Sequence, residues 1–179
     1  MIKNISLAFS VILFSTSSFA TEQVIWQTTE KVVINYQALL QQLPKTSKIK
    51  IFIPTAILSN KNQKIYAHFS RNTDNDYKIS FDTMPDCHGA KYCQLGSVQG
   101  QYKANPEIYY NSQNQRITQA VILNANLRGY FTPAHAMGDF WPSQLVWRQG
   151  DGLYTVAWKI NEANTQTQKT LMKLFVSFK

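Results

Sequence analysis

The chain has 179 residues, 44% of them apolar, and carries 18 Lys and Arg against 10 Asp and Glu, a formal charge of +8. At this length folding buries roughly two-thirds of the unfolded surface, so the two cysteines are not needed as a scaffold and a disulfide-built miniature fold is excluded. The cationic surplus favours anionic partners, acidic glycans, acidic proteins or membrane head groups, but no run of five or more cations occurs, and this spread supports the plainer reading of lysines that are merely solvated.

The first element is a leader. Lys3 precedes an apolar stretch from Ile5 to Phe14, and Ser18-Phe19-Ala20 places small side chains at both specificity positions of a cleavage site. The apolar run is interrupted by Ser10 and by Ser15 to Ser18, short of the about 20 residues that a spanning helix needs. Residues 1–20 therefore read as a secretory signal peptide cut after Ala20, and 21–179 as a single domain in the periplasm or the medium. No cysteine follows the cut to carry a lipid.

From Glu30 to Leu43, apolar residues at Val32, Val33, Tyr36, Leu39, Leu40 and Leu43 follow a helical stripe that Pro44 ends. Ile49 to Ile53 reads as a strand stopped by Pro54, and Lys64 to Ser70 as a second. Asn72 to Asp76 supplies turn chemistry. Tyr77, Ile79 and Phe81 then alternate with Lys78, Ser80 and Asp82, the clearest period-two pattern in the chain, with one face expected to be wet. Leu95 to Tyr102 is a further strand, followed by a polar excursion from Lys103 to Gln115.

Arg116 to Leu123 and Tyr130 to Thr132 read as paired or continuous strands broken around Asn124 to Gly129, and Pro133 to Ser143 as a long loop. Leu145 to Arg148 and Leu153 to Ile160 form a hairpin through Gln149-Gly150-Asp151-Gly152. Leu171, Met172, Leu174, Phe175 and Phe178 return to helical spacing, with a terminal strand over Leu174 to Phe178 as the alternative. The expected fold class is α+β, a mainly antiparallel sheet with an N-terminal and a C-terminal helix packed on one face.

Cys87 and Cys93 are expected to be joined, since an exported chain meets an oxidising compartment and no third cysteine competes. Closing so short a loop contributes roughly 2 to 2.5 kcal/mol in the chain-entropy description, a local clamp. It places His88, Lys91 and Tyr92 on an exposed loop as binding candidates, where rigidity lowers the ordering cost of recognition. The plainer reading is a covalent turn between two strands. A joined pair offers no thiolate to a metal or a substrate.

Catalytic constellations are absent from the pattern. His68, His88 and His135 show no metal-ligand spacing, and there is no G-x-S-x-G elbow or glycine-rich phosphate loop. No catalytic residue, metal or cofactor is assigned. Gly129 to Trp158 is rich in aromatics; Trp147, Tyr154 and Trp158 in strands read as core or cross-strand pairs, whereas Phe140 and Trp141 in a loop read as surface-binding candidates.

Three stretches carry a resemblance: Ile53-Pro54 with Leu58; the Cys87 to Cys93 pair followed by Gly96; and Gly129-Tyr130-Phe131-x-Pro133 leading to Trp147-x-x-Gly150 and Tyr154 to Lys159. Together they resemble a group of small exported bacterial proteins without an assigned activity, over Ile49 to Lys159. The resemblance implies a shared fold and export and carries over no catalytic residues. Relatives in that group often have a second cysteine pair where this chain has Ala136 and Phe140.

The function expected is a non-catalytic binding module of the bacterial envelope that recognises a protein or an envelope glycan through the clamped loop, the Phe140-Trp141 segment, or both. The alternatives are an enzyme acting on an envelope polymer, through a groove lined by Trp147, Trp158 and Tyr154, and an inhibitor or immunity-type protein that inserts His88 into a partner's cleft. An anionic membrane surface is a weaker partner, and no nucleic acid is expected.

Overall fold

The computed structural model describes residues 39, 41–43, 46–54, 57, 64–137, 139–159, 168–169 and 171–172. Among these residues nine strands run in chain order: β1 Tyr66–Asn72, β2 Asp76–Asp82, β3 Gln94–Tyr102, β4 Gln119–Asn124, β5 Leu127–Thr132, β6 His135–Met137, β7 Asp139–Trp141, β8 Ser143–Gln149 and β9 Gly152–Trp158. Seven of them form one antiparallel sheet in the order β1-β2-β3-β9-β8-β5-β4, and β6 with β7 forms a separate two-stranded ribbon. Two meanders, β1-β2-β3 and β4-β5-β8-β9, thus share the central β3-β9 ladder, where Gly96 pairs with Trp158 and Tyr102 with Gly152.

This corrects the α+β expectation. The described residues are mostly β: the elements they form are all strands, and helical backbone is confined to isolated described positions at 39, 168–169 and 171–172. The reason lies in the pairing: from Tyr66 to Trp158 each strand finds its neighbour through a turn, a clamp or one long crossover, so the sheet is built without an intervening helix. The stripes at 30–43 and 171–178 fall largely outside the described residues, as do residues 1–20. Leu39 and Leu171, which are described, are both buried in the core.

The core covers one face of the sheet. Tyr77, Ile79 and Phe81 from β2, Val98 from β3, Tyr154, Val156 and Trp158 from β9, and Leu145 and Trp147 from β8 are all fully buried there. Alternation puts these residues on a common face because successive strand side chains point to opposite sides. Trp147 and Tyr154 pair across β8 and β9 with ring centroids 5.6 Å apart in a stacked arrangement.

Ile49 to Ile53, expected to be a strand, belongs to no strand of the sheet. It lies across the core face: the Phe52 N–H donates to the Tyr77 hydroxyl at 2.9 Å, and the Phe52 ring meets Tyr154 edge-on at 4.7 Å. Ile49 and Phe52 are buried and Ile51 and Ile53 partly so, and a side-chain hydroxyl satisfies the Phe52 N–H where a strand would use a ladder carbonyl.

The tight turns follow the sequence signals closely. Gln149 pairs with Gly152, so the two-residue connection is Gly150-Asp151, and the positive φ of 59° falls on Gly150. Glycine takes that left-handed conformation without the steric penalty of a Cβ. Of the two arrangements open for this stretch, β4 and β5 are paired and not continuous, with β5 beginning at Leu127, three residues earlier than Tyr130. Pro133 to Ser143 is not a plain loop, since it contains the β6-β7 ribbon and places Phe140 and Trp141 on β7.

Candidate functional site

The opposite face of the sheet carries a groove of about 940 Å³. Its floor comes from the alternate positions that the core does not use. Lys78, Gln99, Thr155 and Val146 form one row across β2, β3, β9 and β8, and Ser97, Ala157 and Gln144 belong to the next row. The floor therefore presents amides, hydroxyls and one ammonium among short apolar side chains, on a backbone whose own polar groups are taken up by the ladder.

One wall is the polar segment after β3. Arg148 donates to the Ala104 carbonyl, the Tyr109 N–H donates to Thr118 Oγ1 at 3.0 Å, and the Thr118 and Thr132 hydroxyls meet at 2.9 Å. These bonds hold residues 104–118 along the β8-β5 side, where Asn105, Glu107 and Tyr109 face the groove. The Tyr109 hydroxyl donates to Glu107. Burial first, then this bond, pushes the Tyr109 hydroxyl up to about 12, so it stays a neutral donor at physiological pH. Tyr109 also packs at 6.2 Å against the Trp141 ring, which is 41% exposed at the rim.

The other flank is formed by the disulfide loop. Cys87 and Cys93 are joined, as the sequence led us to expect, and both sulfurs are buried. Within the loop His88 and Gly89 have positive φ, and the Gln94 N–H donates to the Ala90 carbonyl at 3.2 Å, which ties the loop to the start of β3. Lys91 and Tyr92 line the groove, and Tyr92, 80% exposed, is the most exposed of the large apolar side chains described.

Of the sequence-assigned binding residues, the fold thus brings Lys91, Tyr92 and Trp141 to one groove. His88 is exposed but not in the lining, which takes it away from the other three. Phe140 pairs through its backbone with Ala136, and its side chain lies outside the description. Trp147, Tyr154 and Trp158 line no groove: they are buried on the core face, as their cross-strand reading required.

Lys78, Lys159, Gln99 and Gln144 were missed. A signal was present, because Ser97, Gln99 and Gln101 on β3 recur every second residue, which is the mark of a second working face, and Thr155 and Lys159 fall on one side of the β9 alternation with Ala157 between them. Among the described residues no three His, Cys, Asp or Glu side chains come together in a metal-holding group.

Beside the groove, Asp82 is fully buried although β2 was expected to have one wet face. Neither of its oxygens accepts a hydrogen bond from a described residue, and His68 Nδ1 lies 3.4 Å from Oδ2. Burial raises the Asp82 carboxyl above its ordinary value, opposed in part by His68, Lys159 and Lys78. A raised folded-state pKa means that the native protein holds the proton more tightly than the unfolded chain. That contribution is complete below the ordinary carboxylate range and is lost as pH rises through the raised value.

Asp82→Asn removes the charge while keeping the shape, so its stability relative to the parent is expected to improve as pH rises from about 3 to 7. Urea unfolding of both proteins across that range checks this. A difference that stays flat or falls with pH contradicts the assignment.

Comparison of the chain with protein-family models, with curated proteins and with solved structures found no match.

Proposed function

We propose that the protein is a non-catalytic binding module of the bacterial envelope and that its sheet-face groove takes a glycan. The observation that carries this reading is the lining itself. Amide and hydroxyl side chains from β3, β8 and β9 cover the floor, and the Trp141 and Tyr92 rings stand exposed at the rim. Sugar rings offer hydroxyls in the plane and C–H groups above it, which match amides below and aromatic faces beside them. Among the described residues, Glu107 is the one carboxylate of the lining and is engaged by Tyr109, and no histidine lines the groove.

Export belongs to the same reading. The closed Cys87–Cys93 bond is compatible with an oxidising compartment, and the leader at residues 1–20 and the likeness to small exported proteins support delivery to the periplasm. The exported form then begins at Thr21, which N-terminal sequencing reads directly.

Binding is tested by calorimetry against a panel of neutral and acidic oligosaccharides, with Trp141→Ala alongside. The expected result is saturable binding that weakens by about tenfold, or 1.4 kcal/mol, when the indole is removed. The reading fails if no oligosaccharide binds, or if Trp141→Ala binds as the parent does.

A further inference from the structure

The groove has a charge pattern that the glycan reading alone does not use. Lys78 on β2, Lys91 in the disulfide loop and Lys159 just after β9 come from three separate parts of the chain and all line it. Lys78 pairs with Gln99, while the Lys159 N–H donates to the Leu95 carbonyl at 2.8 Å. Four residues of β3 separate those two anchor points, roughly 13 Å at the usual strand rise. The cations are therefore spaced along the groove, an arrangement suited to a chain with repeated anions more than to a single terminal one.

We infer that the groove takes a carboxylated glycan strand, whose repeated carboxylates meet Lys78, Lys91 and Lys159 while its rings rest against Trp141 and Tyr92. This rests on the glycan reading and narrows it to one chemical class. The surplus of Lys and Arg over Asp and Glu, which loss of residues 1–20 reduces only by Lys3, draws such a polymer to the surface. Lys159 is a half-buried ammonium: burial lowers it from the ordinary lysine value, and Asp82 opposes that shift. A cation already stripped of part of its water gives up less hydration when a carboxylate arrives.

An acidic peptide would satisfy the lysines equally well. It would not satisfy the rest of the site, because the groove floor is a sheet face whose backbone is already paired, so a peptide main chain finds no edge to extend. The floor amides and the two rim rings match a polyhydroxylated ring.

The test uses protein produced from the full chain and calorimetry with three probes: an oligogalacturonate, the same oligosaccharide with its carboxyl groups reduced, and a poly-glutamate of matched charge. The expected result is that oligogalacturonate binds at least about tenfold more tightly than its reduced form, and that raising the salt from about 0.02 to 0.3 M narrows the gap. Lys78→Gln with Lys91→Gln should lower the affinity for oligogalacturonate about tenfold, and by clearly more than the affinity for the reduced form, so that the gap between the two probes narrows. Lys159→Gln should act in the same direction; the double variant leaves the Asp82 environment its Lys159 and so keeps the test valid if that replacement unfolds the protein.

Equal binding of charged and reduced oligosaccharides overturns the carboxylate inference and leaves the glycan groove standing. Poly-glutamate binding as tightly as oligogalacturonate overturns the assignment to a glycan. Binding of none of the three overturns the inference and the groove reading together.

Discussion

Replacing Trp147 by alanine is expected to cost about 3 to 5 kcal/mol, the usual range for deleting a large buried aromatic, because the cavity only partly collapses. The indole is 1% exposed, stacks on Tyr154 at 5.6 Å and lies 6.4 Å from the Phe52 ring. Phe52 belongs to the segment that crosses the core face, so the loss reaches beyond β8. Against a total stability of about 5 to 15 kcal/mol for an ordinary domain, the variant is left marginal. Its melting temperature should fall by about 10 °C or more at this chain length.

Circular dichroism follows the melt without depending on the deleted fluorophore. Trp147→Phe keeps a ring against Tyr154 and should recover more than half of the loss. A melting temperature within about 2 °C of the parent for Trp147→Ala would remove Trp147 from the core.

Gly96→Val is the second large effect, and it arises from crowding. A Cβ at Gly96 would stand 2.2 Å from Trp158 Cε3 and 2.6 Å from the Ala157 carbonyl oxygen, on the central β3-β9 ladder. Glycine is required here because the indole of the paired residue lies over the backbone. Since Trp158 also packs on Phe81 at 5.4 Å, it has little room to retreat. Overpacking of this kind typically costs about 1 to 3 kcal/mol, and the nearby carbonyl places this case at the upper end.

A double-mutant cycle isolates the cause. Trp158→Leu should be markedly less damaging in the Gly96→Val background than in the parent, because removing the indole frees the space that the new side chain needs. Additive losses in urea unfolding would show that the crowding is not between these two residues.

How much of this was legible depended on whether a signal was local. Tyr77, Ile79 and Phe81 declared the core face of β2 through strict alternation, and all three are fully buried. The same alternation misjudged the other face, since Ser80 and Asp82 are buried as well. Period two says which residues share a side, but not what will cover that side: here Ser80 meets Ser70 and Gln94, and Asp82 meets His68. The β6-β7 ribbon was hidden for a different reason. Its strands are three residues long and lie between Pro133 and Pro142, too short for any period to register.

The candidate site was legible in fragments. Tyr92 and Trp141 stood out as aromatics outside the clear strand patterns, and Lys91 through its place in the clamped loop. Nothing local related the disulfide loop to residues 141–142 or to the excursion after β3, because that relation depends on strand order. The insertion of β9 between β3 and β8 brings these distant segments around one face.

The sequence by itself determined the turns at residues 72–76 and 149–152, the hairpins that they close and the Cys87–Cys93 bond, since each depends on residues close together in the chain and on backbone preferences that operate locally. Tertiary structure alone decided that the sheet has seven strands in the order β1-β2-β3-β9-β8-β5-β4, and that its polar face is a groove lined by lysines at positions 78, 91 and 159. The physical reason is that side-chain alternation fixes two faces for every strand, whereas the choice of neighbouring strand is made by long-range packing that no local pattern encodes.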